Sequence, residues 1–223
     1  MSYILHLETA TKVCSVALSK DGVLIALKET LEDGYSHGEN LTLFIQSVLE
    51  DGKIKIEDLS AVSVASGPGS YTGLRIGVAT AKGICYAQEI PLIAIDALTA
   101  LTEQAKELHP GANLCAMIDA RRMEVYNLVT SSGGEKLKEI SADIIDELSY
   151  STFEPFVYFG DGAAKLSEIW ENKNCKADLT IRSSAKGQVK LSYKMLQANE
   201  IVDTAYFEPF YLKDFIAGKK KKS

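Results

Sequence analysis

An internal repeat is the feature of this 223-residue chain that most constrains its fold. When the sequence is shifted by 111 positions, Leu5-His6-Leu7-Glu8 aligns without a gap with Ala116-Met117-Ile118-Asp119, and Gly22 aligns with Gly133. Each copy contains an apolar strand that ends in an acid, a tight connection, a second strand and a turn. Two such copies predict an α/β fold of two tandem lobes, in which a strand-rich start is followed by alternating helices and strands.

The two lobes are predicted to meet near Pro110, which divides the chain into residues 1–109 and a smaller lobe of residues 110–223. No stretch rich in Pro or Ser separates them, so we expect them to pack tightly. The four lysines Lys219–Lys222 near the end of the chain are typical of a solvated tail more than of an RNA-binding arm. We also expect that the end of the second lobe is able to pack back on the first.

Helix signals lie between the predicted strands. An S-x-x-E capping box at Ser36 predicts one helix, and Asp96 is predicted to cap a second. A third helix is expected to begin at Gly162, and an amphipathic helix is expected over about residues 185–198.

A glycine-rich loop joins a buried strand to a long helix over residues 61–88. Pro68 ends the strand, and Gly67 and Gly69 allow a tight turn that leaves backbone N–H groups free for an anion or for a partner. The spacing does not match the common phosphate-binding loops G-x-x-x-x-G-K-[ST] and G-x-G-x-x-G, nor the nucleophile loop G-x-S-x-G. Ser70 is therefore interpreted as a helix cap.

Small residues recur along this helix. Gly73, Gly77 and Ala81 lie one turn apart, and Ala79 and Gly83 form a second row. Each glycine in a helix costs about 0.5–1 kcal/mol relative to alanine, so a close approach by another element is expected to offset that cost. That element is either part of this chain or a second protein chain, and the pattern leaves both open.

Composition and charge exclude several classes of protein. The chain is 46% hydrophobic and 24% charged, which is typical of a globular domain, and it has no apolar run long enough to cross a membrane and no secretion signal. Its net charge of −6 argues against a protein that binds nucleic acid alone. Its four cysteines form no C-x-x-C pair, which predicts reduced thiols in the cytoplasm rather than a zinc or disulfide framework.

Four motifs carry a resemblance to a known family. They are I-L-H-L-E-T-A-T at residues 4–11, S-G-P-G-S-Y-T-G-L-R-I-G at 66–77, D-A-R-R-M-E-V-Y at 119–126 and P-F-Y-L-K at 209–213. Together they span nearly the whole chain and resemble the TsaB (YeaZ) family. That family is a non-catalytic paralogue of the TsaD/glycoprotease-like proteins of the actin-like ATPase superfamily.

The resemblance implies two actin-like, RNase H-like lobes and a role in making N6-threonylcarbamoyladenosine on tRNA. The chain would bind and activate a catalytic TsaD-like subunit, a TsaE-like ATPase would join the assembly, and tRNA would be contacted only through the complex. A homodimer is expected in isolation. The alternatives are an independent glycoprotease-like metallopeptidase, an actin-like-fold small-molecule kinase, or a dimerising module that binds no nucleotide.

The resemblance also implies two sets of site residues, with no catalytic residue and no metal ligand. The partner-interface set lies on the two predicted helices at residues 36–51 and 72–88 and comprises His37, Leu41, Ile45, Gly73, Arg75, Ile76, Gly77, Thr80, Ala81 and Ile84. The nucleotide or anion set comprises Glu8, Thr9, Thr11, Gly67, Gly69, Ser70 and Thr72. No cofactor is firmly implied, and ATP or ADP with Mg at an interface of the complex is the candidate.

Individual side chains refine these expectations. Glu8 stands where the actin-like fold places an acid that holds a metal–nucleotide, but family members usually have Asp there. The catalytic paralogue has an H-x-x-x-H metal pair on the helix of His37, whereas Leu41 occupies the partner position here. Asp119 is the corresponding acid of the second lobe. The arginines at 121 and 122 are expected either to bind an anion or, preferably, to pair with Asp119 and Glu124.

Overall fold

A computed structural model describes residues 1–31 and 37–213 of the chain and contains two five-stranded sheets. The first sheet has the strand order β3-β2-β1-β4-β5. Its hairpins β1–β2 and β2–β3 are antiparallel, and β4 and β5 add in parallel to β1. The strands are β1 (Tyr3–Glu8), β2 (Val13–Lys20), β3 (Val23–Leu31), β4 (Leu59–Gly67) and β5 (Leu92–Asp96).

The second sheet repeats this arrangement with the order β8-β7-β6-β9-β10. The two hairpins are again antiparallel, and β9 and β10 again add in parallel. The strands are β6 (Asn113–Asp119), β7 (Glu124–Thr130), β8 (Lys136–Ile144), β9 (Phe156–Phe159) and β10 (Cys175–Asp178). The predicted two-lobed α/β fold is therefore confirmed. The predicted boundary between residues 109 and 110 falls in the connection between the two sheets and stays a prediction.

Helices cover both faces of the first sheet. On one face, α1 and α2 pack over a core that includes Leu7, Val16, Leu41 and Val78. On the other face, α4 packs its half-buried apolar residues against Ile4 and neighbouring side chains of β4 and β5, so the chain returns to the first lobe after the second sheet. The helices are α1 (His37–Gly52), α2 (Tyr71–Gln88), α3 (Ala97–Leu108) and α4 (Val189–Gln197).

Local sequence explains where these helices begin. Ser70 accepts a hydrogen bond from the Gly73 N–H, and Asp96 accepts one from the Thr99 N–H, so both predicted caps are confirmed. The capping box predicted at Ser36 lies outside the described residues. The amphipathic helix predicted near residues 185–198 is present as a 3₁₀ turn followed by α4.

The helix predicted from Gly162 is wrong. The segment forms only a 3₁₀ turn, Ala164–Leu166, followed by further turns. Leu166 and Trp170 are nevertheless buried in the second lobe as the spacing predicted, because the Trp170 N–H donates to the Leu166 carbonyl and keeps the two side chains on one side. The periodicity therefore identified the buried face but not the type of backbone.

Candidate functional site

The glycine loop packs directly on the connection between β1 and β2. The Ser70 N–H donates to the Ala10 carbonyl over 2.6 Å, and a Cβ atom at Gly69 would lie 2.2 Å from the same oxygen. Ala10 is 1% exposed. The two loops are thus in contact through their backbones, and only glycine at residue 69 permits this distance.

The small-residue row of α2 faces the same connection. A Cβ atom at Gly73 would lie 2.1 Å from the Thr9 carbonyl oxygen, and one at Gly77 would lie 2.3 Å from Thr9 Oγ1. Thr9 is fully buried, and its hydroxyl donates to the Gly73 carbonyl over 2.8 Å. Of the two alternatives left open by the sequence, the close approach at these glycines is therefore made by the chain itself.

The Glu8 side chain is buried inside the connection between β1 and β2. Its side chain is 1% exposed, and Oε1 accepts the Ala10 N–H over 2.8 Å. Burial raises the pKa of Glu8 to about 7, and the nearby Asp96 and Asp161 act in the same direction. The Ala10 N–H already donates to the Glu8 carboxylate, so it is not free to donate to a phosphate oxygen.

The nucleotide or anion set is consequently not open to a ligand at this loop. Glu8, Thr9 and Thr11 are at most 4% exposed, and Gly67 is buried beneath the Phe210 backbone. Gly69 and Ser70 are half-buried and already bonded to or packed on Ala10, which leaves Thr72 as the exposed member of the set. These residues do not fit the phosphate groups of ATP or ADP, for which the actin-like fold would use this loop.

The corresponding connection in the second lobe is open. Asp119 has a side chain that is 46% exposed and forms an ion pair with Lys165, and its Oδ1 accepts the Arg121 N–H over 3.1 Å. Glu124 forms an ion pair with Lys213. The predicted pairing of the two arginine side chains with these acids is therefore wrong, because lysines from outside the hairpin supply the positive charges. Arg121 and Arg122 are exposed in a turn with positive φ angles.

His37 is buried at the start of α1 rather than presented on the surface. Its Nε2 lies 2.8 Å from the Thr11 carbonyl, and burial lowers its pKa. Leu41, one turn later, is packed in the core. Among residues 1–31 and 37–213, no three His, Cys, Asp or Glu side chains are grouped so that they could hold a metal ion.

The partner-interface set divides into buried and accessible residues. The buried members, which take part in the chain's own packing, are His37, Leu41, Ile45, Gly73, Gly77 and Ala81. Ile76, Thr80 and Ile84 are half-buried, and Arg75 is exposed. The row of small residues that faces solvent is the second one, because Ala79 and Gly83 are exposed and a Cβ atom at Gly83 would meet nothing within 4 Å.

Two large side chains are also exposed on the helices α1 and α2. Tyr86 is 83% exposed on α2, and Leu43 is 61% exposed on α1. We define the docking face as Leu43, Ala79, Gly83 and Tyr86. Leu43 and Tyr86 were not in the predicted set. The helical periodicity of the sequence could have identified both, because neither falls on the apolar face formed by the buried residues of its helix.

The C-terminal segment borders this face along α2. Lys82 Nζ donates to the carbonyls of Ala205 and Phe207, over 2.9 and 3.1 Å. Arg75 lies with its guanidinium 4.0 Å from the centre of the Tyr71 ring and donates through Nε to the Tyr211 hydroxyl over 3.1 Å. The motif at residues 209–213 thereby fixes the end of the described chain to the start of α2.

Comparisons with known proteins agree with this geometry. The family model described as TsaD, tRNA N6-adenosine threonylcarbamoyltransferase, matches residues 34–221. The chain belongs to this family. Its relatives include the tRNA threonylcarbamoyladenosine biosynthesis protein TsaB of Escherichia coli K12, which is 27% identical over 97% of both chains. The TsaB of Haemophilus influenzae is 29% identical, over 97% of this chain and 96% of the relative. The resemblance to the TsaB (YeaZ) family is confirmed.

Solved structures show the same fold. YeaZ from Pseudomonas aeruginosa superposes with a TM-score of 0.81 at 22% identity, covering 95% of this chain and all of that chain. The activator of the 2-hydroxyisocaproyl-CoA dehydratase from Clostridium difficile, a structure with bound ADPNP, superposes with a TM-score of 0.54 at 10% identity, covering 89% and 97%. No helix within the described residues is both long enough and apolar enough to cross a membrane.

Proposed function

We propose that this chain is a non-catalytic subunit in the synthesis of N6-threonylcarbamoyladenosine on tRNA. It binds a TsaD-like catalytic subunit through the docking face and holds that subunit in its active conformation. A TsaE-like ATPase joins the assembly, and tRNA is contacted through the partners, in the cytoplasm. In isolation the same face forms a homodimer.

The observation that carries this proposal is the contrast between a closed loop and an open helical face. The loop that would hold a nucleotide is filled by Glu8 and by the backbone of Ala10. The docking face presents an exposed alanine, an exposed glycine and an exposed tyrosine on α2, together with an exposed leucine on α1. Small residues on a helix allow a second helix to approach closely, and exposed Tyr and Leu side chains supply apolar area for binding.

The alternatives receive less support from the same residues. A peptidase of the H-x-x-x-H type needs two accessible imidazoles, whereas His37 is buried on Thr11 and is followed by Leu41. A kinase of this fold needs an accessible phosphate loop, and Thr9 and Thr11 are buried. Names of the relatives favour tRNA modification over both.

The test measures binding to a tagged TsaD-like subunit from the same organism, together with tRNA modification by the reconstituted complex. Replacing Ala79 with Arg places a long charged side chain in the centre of the docking face. We expect at least about a tenfold loss of affinity and a parallel loss of modification, because a buried unpaired charge is costly at an interface. The circular-dichroism spectrum of the variant alone should match that of wild type, since Ala79 is exposed on the folded chain and its change affects association rather than folding.

The matched control is Ile144→Arg, which changes an apolar side chain that is 79% exposed on β8 of the second lobe. This variant should bind the partner like wild type. If Ala79→Arg binds normally and Ile144→Arg does not, the partner uses the second lobe and the docking face is misplaced. If neither protein nor variant binds or activates a TsaD-like subunit, the proposed function is wrong.

A further inference from the structure

A groove borders the docking face at the C-terminal end of α2. It runs between the last two turns of α2 and residues 203–205, and its volume is about 870 Å³. This volume is in the range of sites that take a group of atoms rather than a single ion. Gly83 and Tyr86 belong both to the docking face and to the wall of the groove. A partner that binds the docking face therefore reaches the groove.

The charged side chains of the groove wall leave negative charge in excess. Among the described residues they are Lys82, Glu89 and Asp203, one cation against two acids. Lys82 Nζ already donates to the uncharged carbonyls of Ala205 and Phe207. Neither Glu89 nor Asp203 forms an ion pair within the described part of the chain. The two carboxylates therefore lack a cationic partner there.

The backbone holds both acids at the groove. Asp203 Oδ1 accepts the N–H groups of Ala205 and Tyr206 over 2.8 and 3.1 Å, which orients the carboxylate without neutralising its charge. Glu89 is exposed at the C-cap of α2, where its backbone is left-handed. Both carboxylates are thus attached to fixed points of the fold.

The end of α2 adds to this negative potential. The carbonyl end of a helix carries a partial negative charge, which basic residues in the last turn commonly offset. The last turn of α2 contains no basic residue. A cation supplied by another molecule would therefore be stabilised by the helix end as well as by the two carboxylates.

Tyr86 indicates which cation fits. Its side chain is 83% exposed and lines the groove together with the apolar Ala87 and Ile90. The face of an aromatic ring attracts a cation. A guanidinium group is planar, stacks on such a ring and pairs with carboxylates through several N–H groups, whereas an ammonium group is a strongly hydrated point charge. Arginine matches the ring and the acids together.

A second copy of this chain is a poor source of that arginine. Helix α1 contains no Lys or Arg. The Arg75 side chain of α2 is already stacked on Tyr71 and bonded to Tyr211, and Lys82 is bonded to carbonyls. The docking helices of a second copy thus offer no unengaged cation, which favours a different protein.

We propose that the groove binds an arginine side chain of the TsaD-like subunit. Its guanidinium stacks on Tyr86 and pairs with Glu89 and Asp203. The inference rests on the proposed function and deepens it, because it names the anchor by which the docking face distinguishes that subunit from a second copy.

The first experiment compares affinity for the TsaD-like subunit, by isothermal titration, with self-association, by analytical ultracentrifugation. The double variant Glu89→Gln, Asp203→Asn removes both charges and keeps a side-chain oxygen for the Ala205 and Tyr206 N–H groups. It should bind the TsaD-like subunit at least about tenfold more weakly and with less dependence on salt, while self-association is unchanged or tighter. The matched control, Glu168→Gln with Glu171→Gln, removes two exposed acids outside the groove and should bind like wild type.

Two substitutions of Tyr86 separate ring stacking from apolar area. Tyr86→Phe keeps the ring and should stay within about twofold of wild-type affinity for the TsaD-like subunit. Tyr86→Leu keeps apolar area without an aromatic face and should lose about fivefold or more. Equal affinities of the two variants would contradict stacking of a guanidinium on this ring.

An alanine scan of the exposed arginines and lysines of the TsaD-like subunit identifies the occupant. One arginine should cost at least about tenfold against wild type and at most about twofold against the double variant, because its partners are then already lost. The proposal is overturned if no arginine shows this coupling, if a lysine shows it instead, or if the groove and control double variants bind alike. In those cases the wild-type chain still binds, and the proposed function stands. A wild-type chain that does not bind a TsaD-like subunit contradicts both.

Discussion

The two lobes begin alike and then differ in the element that comes after their first parallel strand. In the first lobe, β4 leads through the glycine loop into the 18-residue helix α2. In the second lobe, β9 leads through Gly160 and Gly162 into a short 3₁₀ turn, Ala164–Leu166. A Cβ at Gly160 would lie 2.0 Å from the Met117 carbonyl oxygen, so both lobes press a glycine loop onto their first hairpin. The long helix, and hence the docking face, belongs to the first lobe alone among the described residues.

The acids at the ends of β1 and β6 differ in the same way. Glu8 is buried on the Ala10 N–H, whereas Asp119 is half exposed and paired with Lys165. One reason is register. Glu8 stands opposite Ser15 across its hairpin, whereas Asp119 stands opposite Val125, so the second connection is one residue tighter. The two lobes thus share the order of their strands but differ in the chemistry of the loop that follows the first strand.

The largest expected effect tests which row of α2 faces inward. Gly77→Leu places a side chain where Thr9 Oγ1 would lie 2.3 Å from its Cβ atom. We expect the free energy of unfolding to fall by about 3 kcal/mol or more, because Thr9 is fully buried and its loop is bonded to α2. Chemical denaturation of the isolated chain, followed by circular dichroism, measures this loss.

Gly83 provides the matched position on the same helix. In the single chain Gly83→Ala meets no neighbour, so it should stabilise the monomer by about 0.5–1 kcal/mol through helix propensity, measured at a concentration at which the chain is monomeric. A stable Gly77→Leu variant that has lost only its association would show that the first row faces a partner after all.

The glycine rows illustrate how far the sequence could predict this site. Spacing identified both rows and the need for a close approach, and the repeat predicted two similar lobes. It did not determine which row faces inward, because that depends on where Thr9 and the β1–β2 connection lie in space. The pairing of Arg121 and Arg122 was misjudged for the same reason, since Lys165 and Lys213 are distant in sequence from the acids they neutralise.

The buried acid of the first lobe and the open acid of the second should respond differently to pH. The unfolded chain loses the Glu8 proton near its ordinary pKa of 4.5, whereas the folded chain keeps that proton up to about pH 7. The folded state therefore binds more protons between these values, so ionisation of Glu8 lowers stability as pH rises through this window. Glu8→Gln removes this effect and should gain up to roughly 3 kcal/mol relative to wild type between pH 5 and pH 8.

Asp119→Asn is the control in the open lobe. Its side chain is 46% exposed and its partner Lys165 is partly exposed, so solvent screens the pair and the substitution should change stability by at most about 1 kcal/mol. Urea unfolding at three or four pH values separates the two variants. A Glu8→Gln variant whose stability tracks that of wild type at every pH would mean that the Glu8 carboxylate is not buried in solution.

The smallest expected effect concerns tRNA and the uneven charge of the two lobes. Residues 1–109 contain 8 Lys and Arg against 14 Asp and Glu, whereas residues 110–223 contain 16 of each. Residues 1–109, which include the docking face, therefore account for the whole net charge of −6, whereas residues 110–223 are neutral as a set. Because affinity for a polyanion comes mainly from neutralised phosphates, the isolated chain should bind tRNA no better than about 10⁻⁴ M at physiological salt.

Within a reconstituted complex, deleting residues 218–223 removes the four lysines Lys219–Lys222, which lie outside the described residues. At most about four phosphate contacts can be lost with these charges. The slope of log affinity against log salt should therefore become less steep by no more than the contribution of four contacts, and affinity itself should fall only modestly. The matched control replaces the four lysines with glutamines at full length, which separates charge from chain length. Filter binding across a salt series measures both quantities. Tight tRNA binding by the isolated chain would overturn this expectation, because it would make the chain a direct RNA-binding subunit despite its net charge of −6.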